Sequence, residues 1–236
     1  MSMATARLRS GLSSISPRCR SIRRCSTNGT RTDMRALLIG AGGHAKVVLD
    51  AWLQADRDAQ IEVRDDRHEV RMLLERPVSH PAVPASTSVT LAHVAIGQNR
   101  IRQDIGARLS ALGPVLVSVI HPAAHVSGYA EVGRGAFVAA RAIVAAGAVV
   151  GAGVIVNHGA VVDHDCMVGD WAHLAPGSVL GGAVSIGRRV LVGSGAVILP
   201  GVKVGDDAVV GAGAVVTKDV GEGQYWVGVP ARKLYE

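Results

Sequence analysis

The 236-residue sequence predicts two folded units, a small open α/β unit of the Rossmann type followed by a parallel β-helix. Three observations carry this reading. From Ile120 to Val216 every sixth residue is Ile, Leu or Val, 17 positions without an insertion or deletion. Four residues after each of these comes a small or β-branched residue, among them Ala124, Ala148, Cys166, Ser178, Val190 and Ala214. Ahead of the repeat, residues 34–117 alternate strand-like and helix-like runs.

The repeat dictates stacking. Side chains alternate faces along a strand, so the first and fifth places of successive hexads, two residues apart across the boundary, line one interior. A six-residue unit is too short to bury that face alone, and neighbours must cover it by piling into a prism. A Val- and Ala-rich sandwich would show no fixed period.

Charge sets the beginning of the chain apart. Residues 1–33 hold seven Arg, many Ser, no Lys and Asp33 as the one acid, so this leader carries +6, the formal charge of the whole chain. It resembles an organelle transit peptide; translation from Met34 is the preferred reading, because the first strand begins at the next residue. In either case it is expected to be disordered. The remainder is neutral and only 3% of residues are aromatic, which argues against a nucleic-acid partner. No apolar run is long enough to span a bilayer. Cys19 and Cys25 lie in the leader and Cys166 at an inward hexad place, so there is no disulfide framework, and a cytoplasmic location is expected.

Between leader and repeat, residues 35–40 (RALLIG) read as a buried strand and 43–54 as a helix with Val47, Val48, Ala51 and Trp52 at helical spacing. Residues 61–66 (IEVRDD) form a second strand. A connection containing Pro77, Pro81 and Pro84 precedes a third strand over 91–97 and a helix over 99–112 that Gly113 and Pro114 stop. Residues 118–236 are assigned to the β-helix.

Open parallel sheets bind ligands beyond the carboxyl ends of their strands. The first strand is followed by Gly40, Ala41, Gly42, Gly43 and His44, where glycines permit close approach and the helix amides offer an anion site. Asp65 and Asp66 follow the second strand, suited to ribose hydroxyls or a base edge, and Gly97 follows the third. With too few strands for two nucleotide-binding halves, the unit is expected to hold one nucleotide; a plain tight turn is the alternative reading of GAGGHA.

Within the repeat, polar letters interrupt the Val, Gly and Ala background at Asn157, His158, Asp163, His164, Asp165 and His173. His158 and His164 are third in their hexads, where side chains point outward. Residues 18 away from His164 are Ala146 and Gly182, leaving a shelf around the imidazole. A neutral imidazole takes a proton at pH 7, and a neighbouring carboxylate stabilises the cation. Alternation places Asp163 and Asp165 equally on the far side from His164, so spacing does not choose between them, and a solvated corner is the alternative.

Seven collinear motifs, GAGGHAK, the RDD pair, AIGQNRIR, VIHPAA, NHGAVVDHDC, GDWAHLAPG and VGVPARKL, give the stretch from 35 to 236 its resemblance to the bacterial nucleotide-sugar acetyltransferases. That group includes the UDP-4-amino-sugar and GDP-perosamine N-acetyltransferases and the sialic acid O-acetyltransferases. The resemblance implies that the β-helix is left-handed and the protein a homotrimer. It implies acetyl-CoA as co-substrate and no metal, with direct acetyl transfer to the amine of a nucleotide-linked 4-amino-deoxy sugar. It makes His164 the general base and Asp165 the residue that raises its basicity. His173 and the backbone near Ser194 and Ala212 would contact acetyl-CoA, while the first unit, with Gly42, Gly43, His44, Asp65, Asp66 and Gly97, would hold the nucleotide sugar. Asp stands at 163 and 165 where relatives often carry Glu, and the Pro-rich connection is longer. Sugar O-acetylation and a non-catalytic nucleotide-sugar-binding trimer are the competing functions; the latter has no need of His164 and Asp165. The spacing of 158, 164 and 173 does not match the three-histidine metal pattern of γ carbonic anhydrases.

Overall fold

The computed structural model describes residues 35–234, so the Arg-rich leader lies outside the described residues. Strand β1 (Arg35–Ile39) is the centre of a six-stranded sheet, flanked in parallel by β2 (Gln60–Arg64) and β5 (Leu91–Val94). The order is β3-β4-β2-β1-β5-β6, with β3 Met72–Leu73, β4 Arg76–Ser79 and β6 Val115–Leu116. Helix α1 (Gly43–Ala55) buries Ala45, Val48, Leu49, Ala51 and Trp52, and helix α2 (Asn99–Ala111) buries Arg102, Ile105, Gly106 and Leu109.

The expected connection around Pro77 is itself structured. Strand β4 pairs parallel to β2 and antiparallel to β3. Pro77 is tolerated because Val78 N donates to Arg71 O and Asp65 N donates to Ser79 O, which joins the strand on both sides without a proline N–H. A sequence reading that stops at proline misses such a strand.

From β7 (Val119–Ile120) to Val216 the chain is a left-handed parallel β-helix of two-residue strands, one per hexad boundary, closed by the three-residue strand Tyr225–Val227 and the antiparallel Arg232–Lys233. They stack into three sheets of eight, six and five strands. Partners are 18 residues apart, as in Ile155↔His173, Val161↔Val179 and Met167↔Ser185, which gives three hexads per turn. The first face carries Phe137, Ile155, His173 and Leu191 outward, the second Ile143, Val161, Val179, Val197 and Val215, and the third Val149, Met167, Ser185 and Lys203. The predicted interior is realised: from Val138 to Val216 the first hexad places, together with Ala148, Cys166, Ser178, Val190 and Ala214, are buried.

At every hexad corner from Gly135 to Gly213 the fourth residue has positive φ. Glycine fills most of these places, but Arg141, Asp165, Trp171, Ala183, Arg189 and Asp207 also adopt it. The corner is therefore a tight turn and no continuation of the strand, so simple alternation fails there.

The α/β unit docks on the first face. Phe137 and Ile155 join the core that includes Val48, Trp52 and Val63. The ring of Trp171 is wedged between Gly153 and Gly106 of α2, and a Cβ on either glycine would collide with it. Asn99 Nδ2 donates to Arg189 O at 2.8 Å, and Arg100 pairs with Asp207 at 3.0 Å.

Candidate active site

Two groups of polar side chains stand on opposite sides of the prism. The first lies at the sheet's topological switch point, where the chain crosses from β2 on one side of β1 to β5 on the other. Gly40 has φ +111°, and a Cβ there would stand 2.8 Å from Ala95 O, so the two loops meet only because this residue is glycine. Gly42 caps α1 without a side-chain hydrogen bond, no acid stands in the first turn, and Gly43 is exposed. That helix end is positive and open.

His44 is half-buried, with its ring edge-on to Phe137 at 5.5 Å and 6.3 Å from the His173 ring. Its Nε2 is buried and has no partner among the described residues. Burial, then the neighbouring imidazoles and Arg102, push its pKa down to about 3, so it is a neutral ring at pH 7.

Asp65 differs from the expectation of a free ribose ligand. Its Oδ2 accepts from Ala41 N at 2.7 Å and Arg67 Nη2 at 3.1 Å, and its Oδ1 from Arg67 N and Nε, both at 2.9 Å. A carboxylate offers about four acceptor directions, and all are taken. Burial by itself would raise its pKa, but the hydrogen bonds from Arg67 and Ala41 outweigh that and hold it below the usual carboxylate range. Asp65 is the clamp that shapes the glycine loop. Asp66 is exposed, with Oδ1 taken by Ala82 N at 2.8 Å, and Gly97 is half-buried at the end of the β5 loop.

His173 belongs to this first group. Its ring faces the Gly97 backbone, and its Nε2 accepts from Asn157 Nδ2 at 3.2 Å, while Asn157 Oδ1 accepts from His158 N. Burial, followed by Arg102, lowers its pKa to about 4. The His173 Nε2 is engaged by Asn157 of the coil, so a polar contact of that atom with acetyl-CoA would require giving up this bond. Ser194 and Ala212 are exposed on the next corner, in one column with His158 and Pro176. The column is tied by Gly177 N to His158 O, Gly195 N to Pro176 O and Gly213 N to Ser194 O.

The second group is at the corner between the second and third faces. His164 Nδ1 lies 2.9 Å from Asp165 Oδ2, and the two side chains are 62% and 69% exposed. Positive φ at Asp165 turns its carboxylate back onto the ring, while Asp163 Oδ1 accepts from His164 N at 2.7 Å. The hydrogen bond that Nδ1 donates to Asp165, then the charge of Asp163, raise the His164 pKa. Its Nε2 lies over Gly182, where a Cβ would collide with it, so the shelf expected from the 18-residue stacking is real. In a triangular prism the corner between two faces lies across from the third, so His164 stands across the coil from the face that carries the α/β unit.

Comparison with known proteins is specific at this point. Residues 35–109 match the family described as PglD N-terminal domain. Residues 147–182 match the bacterial transferase hexapeptide (six repeats), and residues 183–218 the hexapeptide repeat of succinyl-transferase. The acetyltransferase domain of PglB from Neisseria gonorrhoeae is 38% identical, over 86% of this chain and 100% of that one, with a TM-score of 0.82. That domain has also been solved in complex with acetyl coenzyme A, at 37% identity over 86% of this chain and 100% of that one, with a TM-score of 0.80. PerB from Caulobacter crescentus, in complex with CoA and GDP-perosamine, is 39% identical over 85% of this chain and 97% of that one, with a TM-score of 0.79.

The chain belongs to the hexapeptide-repeat sugar acetyltransferases.

As a member of that family it is an acyltransferase of the sugar N-acetyltransferase type. Among the described residues no helix is long and apolar enough to cross a membrane. One residue of this acetyltransferase escaped the sequence reading. Arg102 is 1% exposed and makes six hydrogen bonds: Nε to Gly153 O, Nη1 to Ile96 O and Gly97 O, and Nη2 to Asn99 Oδ1, Trp171 O and Ala172 O. The signal was available, because Arg102 falls in helical register with the buried Ile105 and Leu109.

Proposed function

We propose that this enzyme transfers acetyl from acetyl-CoA to the amine of a nucleotide-linked 4-amino-deoxy sugar, with His164 as general base. The observation that carries the reading is the His164–Asp165 pair, exposed at a corner beside Gly182 with Nε2 turned to the open shelf. In the reaction His164 Nε2 takes a proton from the sugar amine as the nitrogen attacks the thioester carbonyl. The C–N bond forms, the C–S bond breaks, and the thiolate leaves with a proton returned from His164. General base assistance is worth about a hundred- to ten-thousand-fold, and holding both substrates together supplies much of the rest. Cys166, buried with its thiol pushed up first by burial, is no nucleophile.

On this reading residues 34–117 hold the nucleotide sugar, with Gly42, Gly43, His44, Asp66 and Gly97 lining the pocket and Asp65 keeping its loop closed. The acyl donor lies along residues 118–236, beside the column of Ser194 and Ala212, with His173 at its edge. Support comes from PerB, which holds CoA and GDP-perosamine, and from the PglB domain with acetyl coenzyme A. A CoA-release assay across UDP- and GDP-linked amino sugars and free sialic acid tests it. Release with sialic acid alone would overturn N-acetylation of a nucleotide sugar.

The functional unit is a homotrimer. Support is the ladder of Ile143, Val161, Val179, Val197 and Val215 on the second face, of the kind that copies of a chain bury against one another, and the separation of His164 from the sugar pocket across the prism. Parallel packing of three prisms would bring the His164 corner of one subunit to the pocket of the next. A monomer by light scattering would rule this out.

The division between units has a kinetic signature. Asp65→Ala opens the glycine loop and should raise the KM for nucleotide sugar about tenfold or more, leaving that for acetyl-CoA within about twofold. Equal damage to both constants would contradict separate sites. Asp165→Asn should move the acid limb of the kcat/KM profile to lower pH. His164 acts only when unprotonated, and removing the adjacent negative charge lowers its pKa. An unmoved limb would detach Asp165 from the base.

A further inference from the structure

We propose that Arg102 is the fixed cation of the nucleotide-sugar pocket, a positioning residue whose unpaired charge draws the substrate's diphosphate without touching it. The inference rests on the nucleotide-sugar reading of that pocket and names a determinant that reading lacks. All six acceptors around the guanidinium are neutral oxygens, five of them backbone carbonyls. Burying a charge without a counter-ion is costly, and carbonyls alone would be served equally by neutral amide donors. The charge is kept where it reaches the pocket. Nη1 binds the Gly97 carbonyl, and Nη2 binds Ala172, the residue before His173. His44, beside His173, senses the same charge.

The donors around the helix end favour an anion; Asp66, which also lines the pocket, is exposed and gives Oδ1 to Ala82 N. The α1 amides end at Gly42 and Gly43 with no acid in the first turn, and the orphan Nε2 of His44 stands beside them. Asp65 is spent on Arg67 and Ala41, so it does not offset Arg102. A positive helix end, a buried guanidinium and an unpartnered imidazole nitrogen beside the glycine loop favour an anion, and the diphosphate of a nucleotide sugar is one.

The test separates charge from shape. Dissociation constants for GDP, UDP, guanosine and uridine are measured by NMR titration on the full chain and on Arg102→Met, Arg102→Gln and Arg102→Lys, with KM for both substrates. Met and Gln should weaken the preferred diphosphate about tenfold or more while its nucleoside stays within about twofold, and Lys should recover most of the loss. KM for acetyl-CoA should not move. Equal weakening of nucleoside and diphosphate would show that Arg102 only holds shape, and unchanged diphosphate binding would remove its role. If the Met and Gln variants do not fold, the charge serves the fold and the proposal fails. If the unaltered protein binds neither diphosphate, the nucleotide-sugar reading itself is wrong, a result distinct from either failure of Arg102.

Discussion

His164→Ala is expected to lower kcat about a hundredfold or more, while both substrates still bind, because a general base acts in the transition state. The variant is safe for the fold: the imidazole is exposed and its loss leaves no buried group unpaired. His158→Ala is the matched control, at the same hexad place but on the corner between the first and second faces. It has no carboxylate partner corresponding to Asp165, since Gly159 stands at that position. If His158→Ala proved as damaging while His164→Ala were mild, the base would be His158. Gly182→Ala offers a second probe, since its methyl would collide with the His164 ring and displace Nε2. Its effect should fall on kcat with little change in KM for the nucleotide sugar.

Mixing two inactive variants should restore activity. His164→Ala keeps an intact sugar pocket but no base, and Gly40→Val keeps the base while its side chain collides with Ala95 O at the mouth of the glycine loop. On the proposed trimeric assembly, each variant alone should be nearly inactive. Mixed trimers made by co-expression contain interfaces where an unaltered His164 of one subunit faces an unaltered pocket of its neighbour, so a quarter to a third of normal activity is expected, roughly, from random assortment. No recovery, with mixed trimers confirmed by mass, would mean that pocket and base of the same chain work together, against their placement on opposite sides of the prism. The experiment reads the shared site through turnover, independently of oligomer size.

Much of the fold was legible because one physical constraint is written repeatedly. A hexad with Ile, Leu or Val first and a small residue fifth has one way to bury both, and from Val138 onward both are buried as the period requires. Both helices begin and end within a residue of their expected limits, since apolar spacing and the stop at Gly113 and Pro114 are local signals. The glycine loop was legible too, although the need at Gly40 comes from Ala95, distant in sequence.

What tertiary structure alone decided were the questions of partner and side. Asp163 and Asp165 are equivalent under alternation; positive φ at the corner sends Asp165 to the His164 ring and leaves Asp163 on a backbone N–H. Asp65 looks like a ligand from its place after a strand, but its acceptors are filled by Ala41 and Arg67 once the loop closes. His173 reads as an outward residue of the coil, and the α/β unit docked above it turns it to Gly97. The sequence by itself determined the stacked coil, the α/β unit and the presence of His164 beside carboxylates, because period and local chemistry suffice for these. Which carboxylate meets the ring, which acid is spent on the loop, and the separation of His164 from the glycine loop by the width of a prism depend on contacts between residues far apart in the chain, which no local pattern records.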